Sequence, residues 1–301
     1  MNRVLITGAE GFTGRYLAAE LHQAGYEVHG LVRSLPADKV AGASRLHVAD
    51  LADAAALAAV VREVQPHQVA HLAAIAFVAH GDVDAIYRTN VVGSRHLLEA
   101  LAASQAPLSA VLLASSANVY GNAAGGVVDE STPPAPANDY AVSKLAMEYV
   151  ARLYADRLPV VMARPFNYTG VGQAESFLIP KIVSHLRRRA PLIELGNLDV
   201  ARDFSDVRTV VQYYARLLAC KAASGGTFNV CSGEAASLND VLALVRQISK
   251  HDFDVRVNPA FVRQNEVKSL VGSRARLDAM VGEVPRIALV DTLRWMLEDA
   301  P

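Results

Sequence analysis

Cysteine, tryptophan, net charge and long hydrophobic runs are all scarce in this chain of 301 residues. The two cysteines, Cys220 and Cys231, stand in neither a metal-ligand spacing nor a Cys-x-x-Cys pair. That argues against a disulfide scaffold and points to a reducing compartment with both thiols in packing roles. A formal net charge of −1 gives no overall attraction to nucleic acid or to an anionic membrane, so any anion must be met by locally placed arginines. The most apolar stretch, 69–79, contains His71 and is shorter than the about 20 residues a membrane helix needs. No signal-peptide pattern precedes the strand-like start at 1–7, so the cytoplasm is the expected location. The nine histidines offer no metal site: His67 and His71, four apart, fall in a strand region where that spacing separates them by about 13 Å. No internal repeat or low-complexity segment is apparent, and the Ala-rich stretches are helix filler.

What the chain does have is alternation. Short apolar runs at 4–7, 27–32, 45–49, 68–72, 109–114 and 158–163 are separated by amphipathic helical patterns. This predicts an α/β fold, a doubly wound parallel sheet of the Rossmann kind, through about residue 164. After Arg164-Pro165 the pattern turns to mixed short elements, with one more strand at 227–230. The expected division is a dinucleotide-binding domain at 1–165, rejoined by about 204–232, and a smaller lobe, mainly 166–301, for substrate.

Chemistry concentrates at three places. The first is Gly8-Ala-Glu-Gly11-Phe12-Thr13-Gly14, between the first strand and the first helix, where glycines let the backbone approach a pyrophosphate and helix N–H groups attract its charge. Gly8, Gly11, Phe12, Thr13 and Gly14 are therefore candidate cofactor contacts. The second strand ends in Val32-Arg33-Ser34 where a protein selecting NAD usually carries an acid, and a cation with a hydroxyl suits the 2′-phosphate of NADP(H), NAD remaining possible. Asp50-Leu51, after the third strand, suits the adenine edge; for Asp50 the alternative is a helix N-cap. Ala73, in Ala73-Ala-Ile-Ala76, would let the backbone lie against a cofactor, or serve tight packing. Asn90 lies in a helix expected over 83–103, where it either serves backbone near the site or faces solvent.

The second place is Ser115-Ser116, at the C-terminal end of the fifth strand, the edge where open α/β sheets bind ligands. Ser116 is the candidate donor to a substrate carbonyl. The third is Tyr140-Ala-Val-Ser-Lys144, whose phenol and ammonium, four residues apart, share one helix face. A neighbouring cation favours the phenolate, so Lys144 is expected to lower the Tyr140 pKa and let the pair exchange a proton with a substrate oxygen near neutrality. In the second half, the run at 187–189 reads as a solvated helix end, whereas Arg202 and Arg263 stand in short motifs beside acids and suit diphosphate oxygens.

Taken in order, the Gly8/Gly11/Gly14 turn, Asp50-Leu51, His71-Leu-Ala-Ala74, the Ser116 to Gly121 segment, Tyr140-x-x-x-Lys144 and Arg164-Pro-Phe-Asn167 resemble the extended short-chain dehydrogenase/reductases that act on nucleotide sugars. The resemblance covers essentially the whole chain. The segments at 166–173 and 196–203, Asn229-Val-Cys-Ser-Gly233 and Arg263-x-x-Glu266 look like the branch that handles GDP-deoxyhexoses. It implies a homodimer, formed through the Tyr140 helix and the long helix before it, with Met147 and Tyr149 on the dimer face or in the core. It also implies a GDP-sugar substrate held by Asn118, Asn167, Lys181, Arg202, Arg263 and Glu266, and a Lys144 that binds the nicotinamide ribose. The 4,6-dehydratases of this branch place a general-base glutamate two residues before the Tyr-Gly of the serine segment; here that residue is Asn118, and an amide cannot serve. The implied reaction is reduction of a 4-keto group by NADPH, with a 4,6-dehydratase or 4-epimerase as the alternative enzyme and a non-catalytic NADP-binding regulator as the alternative of another class. Two departures bear on the substrate: Gln264 stands where proline is frequent, and 282–285 replaces a Trp-x-Pro often found near the C-terminus.

Overall fold

In the first strand Val4 and Ile6 enter one apolar layer and Leu5 the opposite one, and all three are fully buried. A strand covered on both faces reads as a continuous apolar run, as in parallel sheets. The computed structural model describes residues 2–76, 81–121, 126–262 and 268–299. Its first half runs β1 (Arg3–Thr7), α1 (Phe12–Gln23), β2 (Glu27–Val32), β3 (Arg45–Val48), α2 (Ala54–Val64), β4 (Gln68–His71), α3 (Val83–Tyr87), α4 (Ser94–Ala102), β5 (Ala110–Ala114), β6 (Val127–Val128), α5 (Asp139–Arg152) and β7 (Val160–Pro165). Its second half runs β8 (Asn167–Thr169), α6 (Leu178–Arg187), β9 (Leu192–Leu195), β10 (Ala201–Asp206), α7 (Val207–Ala219), β11 (Thr227–Val230), β12 (Ala235–Ser237), α8 (Leu238–Ser249), β13 (Asp254–Val257), β14 (Ser269–Gly272), α9 (Ala275–Val281) and α10 (Leu289–Glu298).

Among the described residues, seven strands form one sheet in the order β11-β7-β5-β4-β1-β2-β3, every neighbouring pair parallel. The doubly wound parallel sheet expected from the alternation is therefore present. Chain order reverses between β1 and β4, and a crevice opens at such a switch point beyond the strand C-termini. One layer packs α1 and α7 through Leu17, Leu21, Val210, Tyr214 and Leu217; the other packs α2, α4 and α5 through Leu57, Val61, Leu97, Leu101, Met147 and Ala151. Each such buried Leu or Val stabilises the fold by about 1.5–3 kcal/mol relative to exposure. Met147 thus belongs to the core, and of the two residues considered for a dimer face only Tyr149 is exposed.

A second sheet, β12-β10-β14-β6, with β8 paired to β10, and a third core under α6, α8 and α10 build the lobe beyond β7. The helix expected over 83–103 is continuous but not uniform: Arg88–Gly93 forms a π-helical turn between α3 and α4. Such turns are frequent at functional sites, and this one carries Asn90.

Candidate active site

The glycine turn has the geometry of an anion cradle. Gly8, at φ +69°, is in a conformation that favours glycine, and a Cβ on it would lie 2.9 Å from the Ala73 Cα. A Cβ on Gly14 would lie 2.2 Å from the Gly8 carbonyl oxygen and 2.7 Å from the Ala9 Cα, so turn, helix and the segment after β4 close on one another only because these residues have no side chain. No side chain caps α1 at Gly11, which leaves its first N–H groups directed at the crevice mouth. These observations fit a dinucleotide pyrophosphate. Arg33 is exposed just beyond β2, and its N–H donates to the Glu10 carboxylate in the glycine turn at 3.3 Å.

The side chains of Phe12 and Thr13 serve another purpose. Phe12 stacks on Tyr168 with centroids 6.0 Å apart, and the Thr13 hydroxyl shares a 2.7 Å hydrogen bond with the Tyr168 hydroxyl. They tie the turn to β8. Asp50 is not the cap of α2: Asp53 caps it, accepting from the N–H groups of Ala55 and Ala56. Asp50 instead accepts from the Ala52 N–H at 2.9 Å and lines a cavity of about 350 Å³ with Asp82, Asp84, Ala85, Arg88 and Thr89. Leu51 is buried, and its carbonyl accepts from His96 Nδ1 at 3.0 Å.

The segment after β4 is pinned from both sides. The Ala73 N–H donates to Thr7 Oγ1 at 3.1 Å, and Thr7 Oγ1 lies 2.7 Å from His71 Nδ1. His71 Nε2 lies 2.8 Å from Ser94 Oγ, which donates to the Asn90 carbonyl at 2.7 Å. The set is satisfied when His71 is neutral with its proton on Nε2. Burial, helped by the nearby Lys144 charge, holds its pKa down at about 3. Asn90 answers its open alternative: it is buried, accepts from the Ile75 N–H at 2.9 Å, and donates to the Ile75 carbonyl and to Ser143 Oγ. The π turn brings that amide to the loop and to α5 together.

Ser116, Tyr140 and Lys144 meet at the C-terminal end of β5, all three buried. Ser116 accepts from both the N–H and the side-chain amide of Asn118 at 3.1 Å. Asn138 caps α5, accepting from the Ala141 N–H, and so sets the register that places Tyr140 and Lys144 on one face. Lys144 Nζ donates to the Ala114 carbonyl at 2.7 Å. One expectation is corrected here. Burial pushes the Tyr140 phenol up to about 12, against the opposing effect of its hydrogen bond with Ser116, and Lys144 does not offset this. Burial dominates both groups, since it also brings Lys144 down to about 8 while the Glu148 carboxylate pulls the other way. The phenol is protonated throughout the neutral range.

Behind these residues lies a polar network the sequence reading did not single out. Arg164 forms a two-pronged ion pair with Glu148, at 2.8 Å and 2.6 Å, and donates to the Tyr120 hydroxyl at 3.0 Å. That hydroxyl donates to Asn229 Oδ1 at 2.7 Å, and Ser115 Oγ donates to Glu148 at 2.6 Å. All five residues are buried, joining α5, β5, β7 and β11. Ser115, Tyr120, Arg164 and Asn229 lie in segments the sequence already marks, and Glu148, a further helical turn beyond Lys144, is the member that joins them.

In the lobe, Asn167 is exposed on β8 and registers with Phe204 of β10, two residues from Arg202. The Arg202 guanidinium donates to the carbonyls of Ala201 and Lys268. The acids near it have internal tasks: Asp203 accepts from the N–H groups of Ser232 and Gly233, and Asp206 caps α7. Lys181 Nζ lies 3.8 Å from the centroid of the Phe261 ring, beside the segment that leads to Arg263. Arg263 and Glu266 lie outside the described residues. Among the described residues no group of three or more His, Cys, Asp or Glu is placed to hold a metal ion, and no helix is long and apolar enough to cross a membrane.

Comparison with known proteins agrees with this geometry. The family described as GDP-mannose 4,6 dehydratase matches residues 5–296. A GDP-6-deoxy-D-mannose reductase of Pseudomonas aeruginosa is 34% identical over 99% of this chain and 96% of its own length, and a GDP-6-deoxy-D-talose 4-dehydrogenase of Aggregatibacter actinomycetemcomitans is 31% identical over the same shares. Among solved structures, a Burkholderia cenocepacia protein described as a candidate epimerase is 53% identical with a TM-score of 0.92, over 99% of this chain and 97% of that one. RMD from P. aeruginosa, solved with NADPH, is 32% identical with a TM-score of 0.85 over 99% and 96%.

Proposed function

The chain belongs to the GDP-mannose 4,6-dehydratase family, and we propose that within it this protein is an NADP(H)-dependent oxidoreductase. It reduces the 4-keto group of a GDP-4-keto-6-deoxyhexose to give a GDP-6-deoxyhexose such as GDP-D-rhamnose. The observation that carries this reading is Asn118. Its amide donates to Ser116 Oγ at the position where a dehydratase needs a carboxylate, so the site keeps proton donation at one oxygen and lacks a base for carbon 5. Relatives named as a GDP-6-deoxy-D-mannose reductase and a GDP-6-deoxy-D-talose 4-dehydrogenase support it.

Bound NADPH supplies the hydride. Tyr140, protonated at neutral pH, gives its proton to the oxygen that gains charge, and Ser116 orients that oxygen. Lys144 binds the cofactor ribose. The backbone of 8–14, with Asp50, Leu51 and Ala73, holds the dinucleotide; Arg33 beyond β2 favours a 2′-phosphate, which makes NADPH the preferred form with NADH usable. Asn118, Asn167, Lys181, Arg202, Arg263 and Glu266 hold the GDP-sugar. Residues 1–165, rejoined by 204–232, form the cofactor half, and the remainder of 166–301 mainly the sugar half. The free thiols of Cys220 and Cys231 support a cytoplasmic location, which recovery of the protein from a secreted fraction would contradict.

In purified protein, NADPH absorbance is expected to fall mole for mole with added GDP-4-keto-6-deoxy-D-mannose, more slowly with NADH and hardly at all with a UDP-keto-sugar. The 53% identical structure described as a candidate epimerase favours a second reading, in which the hydride is returned to the sugar. Turnover without net NADPH loss, on cofactor that co-purifies, would establish that reading instead.

A homodimer is part of the proposal. Val142, Tyr149 and Leu153 on and just after α5, with Val92 on the π turn, are exposed apolar residues, and their spacing suits a helix face that packs against its own copy. Light scattering should give twice the 32.1 kDa chain mass. Leu153→Arg should shift that to one chain mass, and a wild-type protein running as a single chain would refute the face.

A further inference from the structure

The buried network behind the site poses a question that the proton transfer at Tyr140 leaves open. Lys144 is 4% exposed and Glu148 1%, and an ammonium that deep is destabilised in its charged form. Among the described residues, the groups around it can be named. From β5 comes the Ala114 carbonyl, and from β4 comes His71, held neutral. On α5 itself Tyr140 is a neutral phenol. From β7 the Arg164 cation is directed onto Glu148 rather than onto Lys144, and Tyr120, on the turn after β5, is a neutral phenol whose pKa burial raises. Glu148, one helical turn along the same face, is the anion whose charge acts on Lys144.

We infer that Glu148 is a positioning residue of the reaction: its carboxylate, locked in place by Arg164 and Ser115, keeps the Lys144 ammonium charged inside the site and fixes the strand end that presents Ser116. The geometry fits both tasks. Two Arg164 prongs and the Ser115 hydroxyl occupy the carboxylate, so it cannot swing to Lys144 and form a contact that would withdraw the ammonium from a ligand. Ser115, bonded to that carboxylate, is the chain neighbour of Ser116. A purely structural pair would need none of this arrangement near Lys144, because an apolar pair of similar volume ties a helix to a sheet at least as well. The inference rests on the assignment of Lys144 to the cofactor ribose.

The test is NADPH affinity against pH, read by cofactor fluorescence between about pH 6.5 and 9.5, for wild type, Glu148→Gln, and the double variant Glu148→Gln/Arg164→Met. The double variant removes the guanidinium together with its carboxylate partner, so Arg164 is not left buried and unpaired, and this guards against simple unfolding. Wild-type affinity should weaken as pH passes the Lys144 value near 8. In both variants the midpoint should move down by about one pH unit, which makes binding about fivefold weaker than wild type at pH 8 and close to equal at the acid end. An unchanged midpoint in a folded double variant would overturn the inference, as would failure of that variant to fold, which would make the pair a structural tie. Absence of NADPH binding by wild type would instead overturn the cofactor reading on which the inference rests.

Discussion

Tyr140→Phe is expected to lower kcat for keto reduction by about 10³-fold, within the 10²–10⁴ that positioned proton transfer supplies, while NADPH and GDP-sugar affinities stay within about threefold. The reason is in the surroundings of the phenol. Tyr140 is 7% exposed, and the backbone that carries it is fixed by the Asn138 cap and by the Ser143 hydroxyl bonded to the Tyr140 carbonyl at 2.7 Å. Phenylalanine therefore occupies the same place and removes only the hydroxyl. Ser116 keeps its two hydrogen bonds from Asn118 and can still orient the substrate oxygen, but no proton is delivered as charge develops. Because burial holds the phenol near 12, wild-type activity should not decline through loss of this proton between pH 7 and 9. Single-turnover kinetics separate the chemical step from binding, and near-normal turnover in Tyr140→Phe would remove Tyr140 from the mechanism.

The second large effect is at Gly14. Gly14→Ala is expected to abolish measurable NADPH binding and to destabilise the fold by about 3 kcal/mol, the upper part of the range for overpacking. The added Cβ meets main chain rather than a side chain that can rotate away, at 2.2 Å from the Gly8 carbonyl oxygen. Relief requires α1 to move off the turn. That movement separates the uncapped helix start from Gly8 and draws on the Phe12–Tyr168 stack and the Thr13–Tyr168 hydrogen bond. Gly11 makes the contrast, since a Cβ there would meet the Gly8 oxygen at 3.2 Å and could be accommodated by a small shift. Gly11→Ala should thus be the milder lesion in both calorimetry and cofactor titration. Equal binding by Gly14→Ala and wild type would contradict the cradle.

Much of this fold and site is legible in the sequence alone. The central strands of the main sheet were readable because burial on both faces makes them continuous apolar runs, as in β1 and β5. Glycine spacing, a serine at a strand end and a Tyr/Lys pair at helical spacing are local signals, and the structure places all three at the C-terminal edge of one sheet. What escaped depends on distance in space or depth of burial. Glu148 and Arg164 are sixteen residues apart on different elements, and a glutamate on an amphipathic helix looks like a solvated one until its partner is seen. Local spacing also cannot reveal how deeply Tyr140 sits, which is why a phenol eased by Lys144 was expected and a phenol raised by burial was found. The side chains of Phe12 and Thr13 belong to a contact with β8 that closes only in three dimensions. The π turn around Asn90 leaves the apolar periodicity nearly intact and is invisible to it.

The most direct measurement is a single-turnover reaction with NADPH deuterated at the transferring position and GDP-4-keto-6-deoxy-D-mannose, analysed by NMR and mass spectrometry. Hydride transfer to carbon 4 requires one deuterium at that carbon of the product for each NADP⁺ formed. A product without deuterium, or an unlabelled sugar released from enzyme whose NADPH is not consumed, would contradict the reductase and leave the hydride-returning reading in its place.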